Sequence, residues 1–222
     1  MKILLNDVIQ LSDAAKEIKS PALSEIYNID TPIIITLDKE RPINSIGIGN
    51  AVKGSIFYVT FNDTATTQFT FSYSENGLYC FNKTINASQI TIQTTSNYVG
   101  RIAAGFACSI PTSVAKEPSF NSTSSPRTTL SGQVIHGLGG HNFRTVSLDS
   151  RYKIDSKIMN EIQEGYKYIG MGHPFFIDLS IESYKLPFNR LYATERNQRQ
   201  MSFESGVKRF LYSRRWDFEE KF

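Results

Sequence analysis

Apolar and polar residues alternate with a period of two through much of the first half of the chain, beginning at Thr31. Successive side chains of a strand point to opposite faces of a sheet, so each alternating run predicts a strand with one buried face. Two further strands are predicted at 89–94 and 98–110. Many short strands at close spacing predict an antiparallel jelly roll or β-sandwich. The apolar positions of the first three runs are Ile33, Ile35 and Leu37; Phe57, Val59 and Phe61; and Phe69, Phe71 and Tyr73.

Two local signals add detail to this half. The dipeptide Asn76-Gly77 lies between two alternating runs and accepts positive φ at both positions, which predicts a tight β-hairpin. Near the start of the chain, apolar spacing predicts a helix that ends before Pro21, because proline donates no backbone hydrogen bond. The apolar positions of this helix are Val8, Leu11, Ala15 and Ile18.

A break in composition separates the two halves. Residues 112–129 are rich in Ser, Thr and Pro, which is typical of a linker or an extended crossing arm. We therefore predict one domain at 1–115 and a second at 116–222. Residues 116–129 are too polar to bury themselves, so we expect this arm to lie on another chain.

The second half combines strands with one helix. Asp155 or Ser156 is suited to cap the start of that helix, and Gly170 and Gly172 are suited to end it. Two more alternating runs follow, and Arg214 lies within the second of them. The predicted fold is therefore mainly β, with a small C-terminal sandwich and one flanking helix. The apolar stripes are Ile158, Ile162, Tyr166 and Ile169 of the helix; Phe175, Ile177, Leu179 and Ile181; and Phe210, Tyr212, Trp216 and Phe218.

Composition excludes several classes of protein. A net charge of +3 with mixed signs argues against nucleic acid or an anionic membrane as the partner. No apolar run is long enough to span a membrane, and the N-terminus lacks the core of a signal peptide. Cys80 and Cys108 are expected to be buried free thiols, although a disulfide between neighbouring strands stays open.

The glycine-rich segment 130–155, with His136 and His141, is the part of the chain that most resembles an active site. It lacks the Gly-Lys-Ser/Thr junction of a phosphate loop, and a metal site would need His173 or another third ligand. No GxSxG motif of a serine nucleophile is present, and Cys108 lies in an apolar run that would not activate a thiol. A carboxylate pair for glycoside hydrolysis, such as Asp149 with Asp155, cannot be inferred, because separation in the sequence does not give the distance between the two carboxylates. We therefore expect no catalytic, metal or cofactor residues. Gly137, Gly139 and Gly140 are expected to form a long hairpin tip that contacts other subunits.

Two resemblances to known families follow from particular motifs. "RPINSIGIGN" with aromatic strands and "YSENGLY" resembles the discoidin or galactose-binding jelly roll over residues 30–110, a fold of sugar binders and adaptors. "PRTTLSGQVIHGLGGHNFRTVSLDSRYKID" with "MNEIQEGYKYIGMGHPFFIDL" resembles the distal-tail and tail-tube-like proteins of tailed bacteriophages over most of 120–222. The chain differs from the usual distal-tail layout because its jelly roll comes first.

The second resemblance implies a structural component of the virion tail, assembled in the host cytoplasm, that forms a ring with other tail proteins. One alternative is a carbohydrate-binding module for the host surface, which requires exposed aromatic side chains in a shallow groove of the first domain. Another is a cell-wall hydrolase, which requires His136 or His141 beside an acid. Arginines among aromatic residues are typical of oligomer interfaces. The residues expected at subunit contacts are Arg127, His136, Gly139, Gly140, His141, Arg144, Arg151, Arg214, Arg215 and Trp216.

Overall fold

A computed structural model describes residues 1–70, 76–111, 119–122, 127–128, 134–135, 142–149, 154–169, 173–179, 190–195, 201–205 and 210–221. The strands of the first half are β1 (Lys2–Asp7), β2 (Tyr27–Asn28), β3 (Ile33–Gly49), β4 (Ile56–Phe61), β5 (Ala65–Thr70), β6 (Gly77–Thr94), β7 (Tyr98–Val99) and β8 (Arg101–Ser109). The strands of the second half are β9 (Ser119–Ser122), β10 (Arg127–Thr128), β11 (Val134–Ile135), β12 (Asn142–Asp149), β13 (Ile154–Asp155), β14 (Phe175–Asp178), β15 (Arg190–Glu195), β16 (Met201–Ser205) and β17 (Phe210–Glu220). The helices are a 3₁₀ turn (Val8–Leu11), α1 (Lys16–Lys19) and α2 (Ser156–Ile169).

Thirteen of the described strands form one sheet, in the order β5-β4-β6-β3-β8-β1-β14-β15-β17-β12-β9, with β13 and β16 also paired to β17. The pairs β10-β11 and β2-β7 form two small separate sheets. Every pair in the described part of the chain is antiparallel. The prediction of a mainly β, antiparallel fold is confirmed. None of the helices that the structure describes is long and apolar enough to cross a membrane.

The first half is a sandwich because its two longest strands fold over a shared core. The start of β3 pairs with the second part of β6, and its end pairs with both β8 and the first part of β6. Ile35 at one end of β3 and Ile46 and Ile48 at the other all belong to one core cluster. Register shifts in the β3–β6 pair allow the strands to bend around that cluster. The alternating apolar positions predicted for β3 and β4 are all buried.

In the second half, α2 packs across β1. Gly165 lies so close to β1 that an added Cβ would be 2.4 Å from the Cβ of Leu5. The helix begins as predicted, since the Asp155 carboxylate accepts a hydrogen bond from the Ile158 backbone N–H at 2.8 Å. It ends at Ile169, immediately before the predicted glycine stop. The fully or almost fully buried side chains of this core are Ile3, Leu5, Ile110, Val146, Ile154, Met159, Ile162, Ile177, Ala193, Trp216 and Phe218.

Strand β14 is buried on both faces, which the predicted alternation did not include. Phe175 and Ile177 belong to the core beneath α2, whereas Phe176 packs with Tyr192 and Leu4 on the opposite face. The rings of Phe176 and Tyr192 lie 4.7 Å apart. This strand is apolar at successive positions because a layer of the protein covers each side of the sheet.

The sheet continues across the boundary predicted near residue 115. Strand β1 pairs with β8 on one side and with β14 on the other, so it joins strands from both halves. It also places Ile3 and Leu5 in the core of the second half. The segment Ser119–Ser122, part of the predicted arm, pairs with β12 of the same chain. These four residues therefore lie along their own chain on one side, and the expectation that the arm lies on another chain stays a prediction. Arg127–Thr128, also part of the predicted arm, pairs with β11, and 116–118, 123–126 and 129 lie outside the described residues.

The predicted N-terminal helix is wrong. Its residues form two separate short elements, the 3₁₀ turn and the four-residue α1, which ends at Lys19 before Pro21. Val8 and Ile18 are buried as the helical spacing required, but Leu11 is exposed. The physical reason is that Asp13, between the two short helices, bonds to β3: its carboxylate accepts from the Thr36 backbone N–H at 2.7 Å, and its backbone N–H donates to the Thr36 carbonyl at 3.2 Å.

The Asn76-Gly77 hairpin is also wrong. Strand β4 lies between β5 and β6 in the sheet, so the strands on either side of this dipeptide are not neighbours. The tight turn is instead at Asn62 and Asp63, which adopt φ values of 47° and 57°. The Thr64 backbone N–H donates to the Phe61 carbonyl at 3.0 Å and closes that turn. Asn and Asp tolerate this conformation, so the turn needs no glycine.

Both cysteines are free thiols. They lie on β6 and β8, which flank β3, so they are not on neighbouring strands. Cys108 is buried as predicted, and Cys80 is half-buried. Burial and the nearby Glu161 carboxylate raise the pKa of Cys108 to about 12.

We expect iodoacetamide at pH 8 to alkylate Cys80 much faster than Cys108, because a thiol with a raised pKa stays protonated and the thiolate is the nucleophile. Peptide mass spectrometry of the folded protein measures the two rates, and the same reaction in urea is the control. Equal labelling of both cysteines before unfolding would contradict this assignment.

Candidate functional site

Two concave regions are prominent in the described part of the chain. The first, which we call the Phe106 groove, lies between β6, β8 and the start of α2 and has a volume of about 440 Å³. The second, which we call the Arg101 pocket, lies between β1, β8 and β15 and has a volume of about 240 Å³. The groove is defined by Lys2, Phe81, Phe106, Asp155, Lys157 and Glu161. The pocket is defined by Asp7, Lys19, Arg101, His173, Phe176 and Tyr192.

Phe106 is an exposed residue beside an irregularity in the sheet. The register between β1 and β8 shifts between Leu4 and Asn6, and Phe106 lies opposite Asn6 at the shift. Its side chain remains 38% exposed, although it belongs to a strand with neighbours on both sides. Bulges of this kind commonly redirect a side chain next to a binding site.

The floor of the groove is held by Asn44. Its Oδ1 accepts a hydrogen bond from the Ala107 backbone N–H at 2.7 Å, and its Nδ2 donates to the Ala107 carbonyl at 3.4 Å. This side chain therefore fixes the residue that follows Phe106. Asn44 also lies where the β3–β6 register is irregular.

Phe81 provides a second aromatic side chain. It lies on β6 just after Cys80, at the register shift opposite Asn44. Its ring packs edge-on against the buried Phe61, with centroids 5.4 Å apart. The core therefore sets the orientation of Phe81, while part of the ring faces the groove.

Charged side chains of both signs line the groove. Lys2 and Lys157 are cationic, and Asp155 and Glu161 are acidic. One oxygen of Asp155 is used to cap α2, and Oε2 of Glu161 accepts a contact from the Cys108 thiol at 3.5 Å. The groove thus offers aromatic surface together with hydrogen-bond donors and acceptors, and its formal charge sums to zero.

The Arg101 pocket contains a buried ion pair. Arg101 Nη2 lies 2.6 Å from Asp7 Oδ2, and both side chains are buried. The Asp7 carboxylate also accepts hydrogen bonds from the backbone N–H groups of Ile9 and Ala104 and from Gln10 Nε2. Burial raises the pKa of Asp7, and the Arg101 charge opposes that effect.

Hydrogen bonds in the same pocket connect segments that are distant in the sequence. Arg101 Nη1 donates to the Lys19 carbonyl, and the Tyr192 hydroxyl donates to the Pro21 carbonyl at 3.0 Å. Burial raises the pKa of Tyr192 to about 12, so this hydroxyl stays protonated at neutral pH. Arg101 Nε is buried and has no hydrogen-bond partner among the described residues. The buried polar groups mostly satisfy one another, which is the arrangement of a structural junction.

The predicted contact residues fall largely outside the described part of the chain. This applies to His136, Gly139, Gly140, His141 and Arg151. The structure gives only backbone positions for four others, in β10, β12 and β17: Arg127, Arg144, Arg214 and Arg215.

Trp216 is fully buried in the core of the second half, with its ring stacked 6.0 Å from that of Phe218. It is therefore inside the chain and not on a surface that another subunit can reach. The reason is that α2 and the neighbouring strands cover this part of β17. Asp217 is buried too and accepts a hydrogen bond from the Ser147 hydroxyl.

The described residues offer few side chains that could bind a metal ion or act as an acid–base pair. No group of three or more His, Cys, Asp or Glu side chains converges there. His173 lies exposed at the Arg101 pocket, and Asp155 caps α2. The proposed partners His136 and His141 for a hydrolase lie outside the described residues.

Neither Phe81 nor Phe106 was identified as a site residue from the sequence. Each is an apolar residue in or beside a run of strand residues, where the usual expectation is burial. The available signal was weak: Phe81 precedes the polar stretch "NKT", and Phe106 follows a glycine. Only the packed structure shows that both rings border an open groove.

No protein-family model matches the sequence, and no curated protein matches it either. Among solved structures, the chain is similar to CBM32-1 from a family 31 glycoside hydrolase from Clostridium perfringens. The sequence identity is 17% and the TM-score is 0.32. The match covers 46% of this chain and 99% of that chain.

Proposed function

We propose that this protein is a structural, non-catalytic component of a bacteriophage tail, of the distal-tail, tail-tip or fibre-adaptor kind. It assembles in a ring and joins the tail to neighbouring proteins. The resemblance of residues 120–222 to tail proteins motivates this role. The structural observation that carries it is a sheet with two unlike ends.

Those ends are β5 and β9. Among the described strands, β5 pairs only with β4 and β9 pairs only with β12, so each has an outer side with no neighbouring strand; β13 and β16, which pair only with β17, lie off this path. Such edges are templates for pairing with another chain. The described part of β5 contains neither proline nor lysine, the residues that commonly protect an edge.

Unlike edges favour a ring over a closed dimer. If β5 of one subunit pairs with β9 of the next, each subunit uses two different surfaces, which is a heterologous contact. Heterologous contacts with a closing rotation generate rings. Main-chain pairing of this type also tolerates the polar composition of both strands.

We expect the double substitution Thr66→Lys with Gln68→Lys on β5 to shift the protein from oligomer to monomer. Both side chains are exposed, and lysines on an edge strand oppose pairing with another strand. Size-exclusion chromatography with light scattering, over a range of protein concentrations, measures the shift, and negative-stain electron microscopy shows whether rings form.

The matched control is Thr91→Lys with Gln93→Lys on β6, two strands further into the sheet. Across β4, Thr66 and Thr91 both lie opposite Thr60, and Gln68 and Gln93 both lie opposite Tyr58. The control adds the same two charges at positions opposite the same β4 residues, but on a strand that is not at the edge, and should leave assembly intact. A wild-type protein that stays monomeric at every concentration, or equal loss in both variants, would contradict the proposal.

A further inference from the structure

We propose that the Arg101 pocket binds a small monocarboxylate whose apolar body is about the size of one aromatic ring. This binding is separate from assembly of the subunits, because the described residues that line the pocket include none from the edge strands β5 and β9. The inference depends on an unpaired donor of a buried arginine, an excess of positive charge and apolar walls.

The unpaired donor belongs to Arg101, whose side chain is only 8% exposed. A guanidinium group carries five N–H donors in a planar arrangement. Nη2 donates to the Asp7 carboxylate and Nη1 donates to the Lys19 carbonyl, whereas Nε is buried and has no hydrogen-bond partner among the described residues. A buried donor without an acceptor is unfavourable, so an oxygen of a ligand beside it would be stabilised. A carboxylate suits this group best, because it accepts charge-assisted hydrogen bonds from the planar guanidinium.

The pocket carries more positive than negative charge. Arg101 and Lys19 are cationic, and Asp7 is the one acidic side chain among the described residues that line it. The Asp7 carboxylate already accepts hydrogen bonds from Arg101, from Gln10 and from two backbone N–H groups. Lys19 Nζ donates to the Ser12 carbonyl at 3.1 Å, which uses one of the three donors of an ammonium group. Two cations and one carboxylate leave an excess of one positive charge, which favours an anion over a neutral or cationic ligand.

Apolar side chains form the walls of the pocket. Leu4, Phe176 and Tyr192 are almost fully buried and belong to one cluster, and Pro21 and Pro174 border the same space. The volume of the pocket is about 240 Å³, whereas an apolar cavity of about 150 Å³ is enough to hold benzene. The pocket therefore has room for one aromatic ring with a carboxylate, and it is smaller than most pockets for drug-sized ligands.

The test is titration calorimetry with benzoate as the probe and with benzamide and acetate as comparison ligands. Benzamide has the same aromatic ring without the charge, and acetate has the charge without the aromatic ring. We expect saturable binding of benzoate with a Kd in the millimolar range or below. Each comparison ligand should bind about tenfold more weakly or worse, because it lacks either the charge-assisted hydrogen bonds or the contact with the apolar walls.

Two variants assign the binding to this pocket. Lys19→Gln removes one of the two cations and should weaken benzoate binding about threefold or more. The double variant Asp7→Leu with Arg101→Met removes the guanidinium without leaving its carboxylate partner buried alone, and it should abolish binding. Thermal unfolding of each variant checks that folding is intact.

The matched control is Lys16→Gln. Lys16 belongs to the same helix α1, but its side chain is 90% exposed and does not line the pocket. Its loss should leave benzoate binding unchanged. The assignment would be overturned by no saturable binding of benzoate at millimolar concentrations, by equal affinity for either comparison ligand, by equal weakening in both lysine variants, or by full binding to the folded double variant. Chromatography separates this result from the tail proposal, because Lys19→Gln should leave the oligomeric state unchanged.

Discussion

Replacing Asp7 by alanine is expected to lower the free energy of unfolding by about 3 to 5 kcal/mol, the usual cost of breaking a buried ion pair. The substitution leaves the Arg101 guanidinium buried without its carboxylate partner at 2.6 Å. It also removes the acceptor for the backbone N–H groups of Ile9 and Ala104. Chemical denaturation followed by tryptophan fluorescence measures the loss.

The control is Glu164→Ala, which breaks the surface pair between Glu164 and Lys167. Those side chains are 67% and 71% exposed, so we expect a change of less than about 1 kcal/mol. The double variant Asp7→Leu with Arg101→Met should recover part of the stability, because it leaves no charged group buried without a partner. A loss for Asp7→Ala no larger than for Glu164→Ala would show that the pair does not hold this junction.

Gly105→Ala is expected to destabilise the protein by about 3 kcal/mol, the upper range for inserting an atom into a packed region. A Cβ at Gly105 would lie 1.7 Å from the backbone oxygen of Asn6, which belongs to the neighbouring strand β1. Backbone atoms in a sheet cannot move aside as a flexible side chain can. Relief requires separation of β1 from β8, the pair that links the two halves of the sheet. Thermal and denaturant unfolding provide the measurement.

Gly54→Ala is the comparison for this result. Gly54 has a φ of 87°, but an added Cβ would have nothing within 4 Å. Its substitution therefore reports backbone strain alone, about 1 kcal/mol for an L-residue in a left-handed conformation. A smaller loss at Gly105 than at Gly54 would mean that the contact between β1 and β8 adjusts easily.

The sequence alone determined which residues of β3 and β4 face the core. The period of two identified the buried faces of β3 and β4, because alternation is a property of the strand itself. The Asp155 cap and the end of α2 were also correct, because capping depends on residues within one turn. The mainly β class followed from the same local patterns.

Tertiary structure decided which strands are neighbours, and local patterns carry no information on that choice. The segment from Val8 to Ile18 has helical spacing, yet the helix is interrupted where Asp13 bonds to Thr36 of β3. The Asn76-Gly77 signal failed for the same reason, since β4 occupies the place that a hairpin would need. Strand pairing is settled by the sum of long-range contacts, which outweigh the preference of a single turn.

The two concave regions also exist only in the folded chain. The Arg101 pocket joins residues that are 94 positions apart in the sequence, because Asp7 and Arg101 meet through β1 and β8. The Phe106 groove brings together residues of β1, β3, β6, β8 and the start of α2, which are distant in the sequence. A period of two predicts the face of a residue but not which layer of the protein covers that face. The sequence therefore determined the β class and the buried faces of β3 and β4, and the packing of distant strands determined the groove.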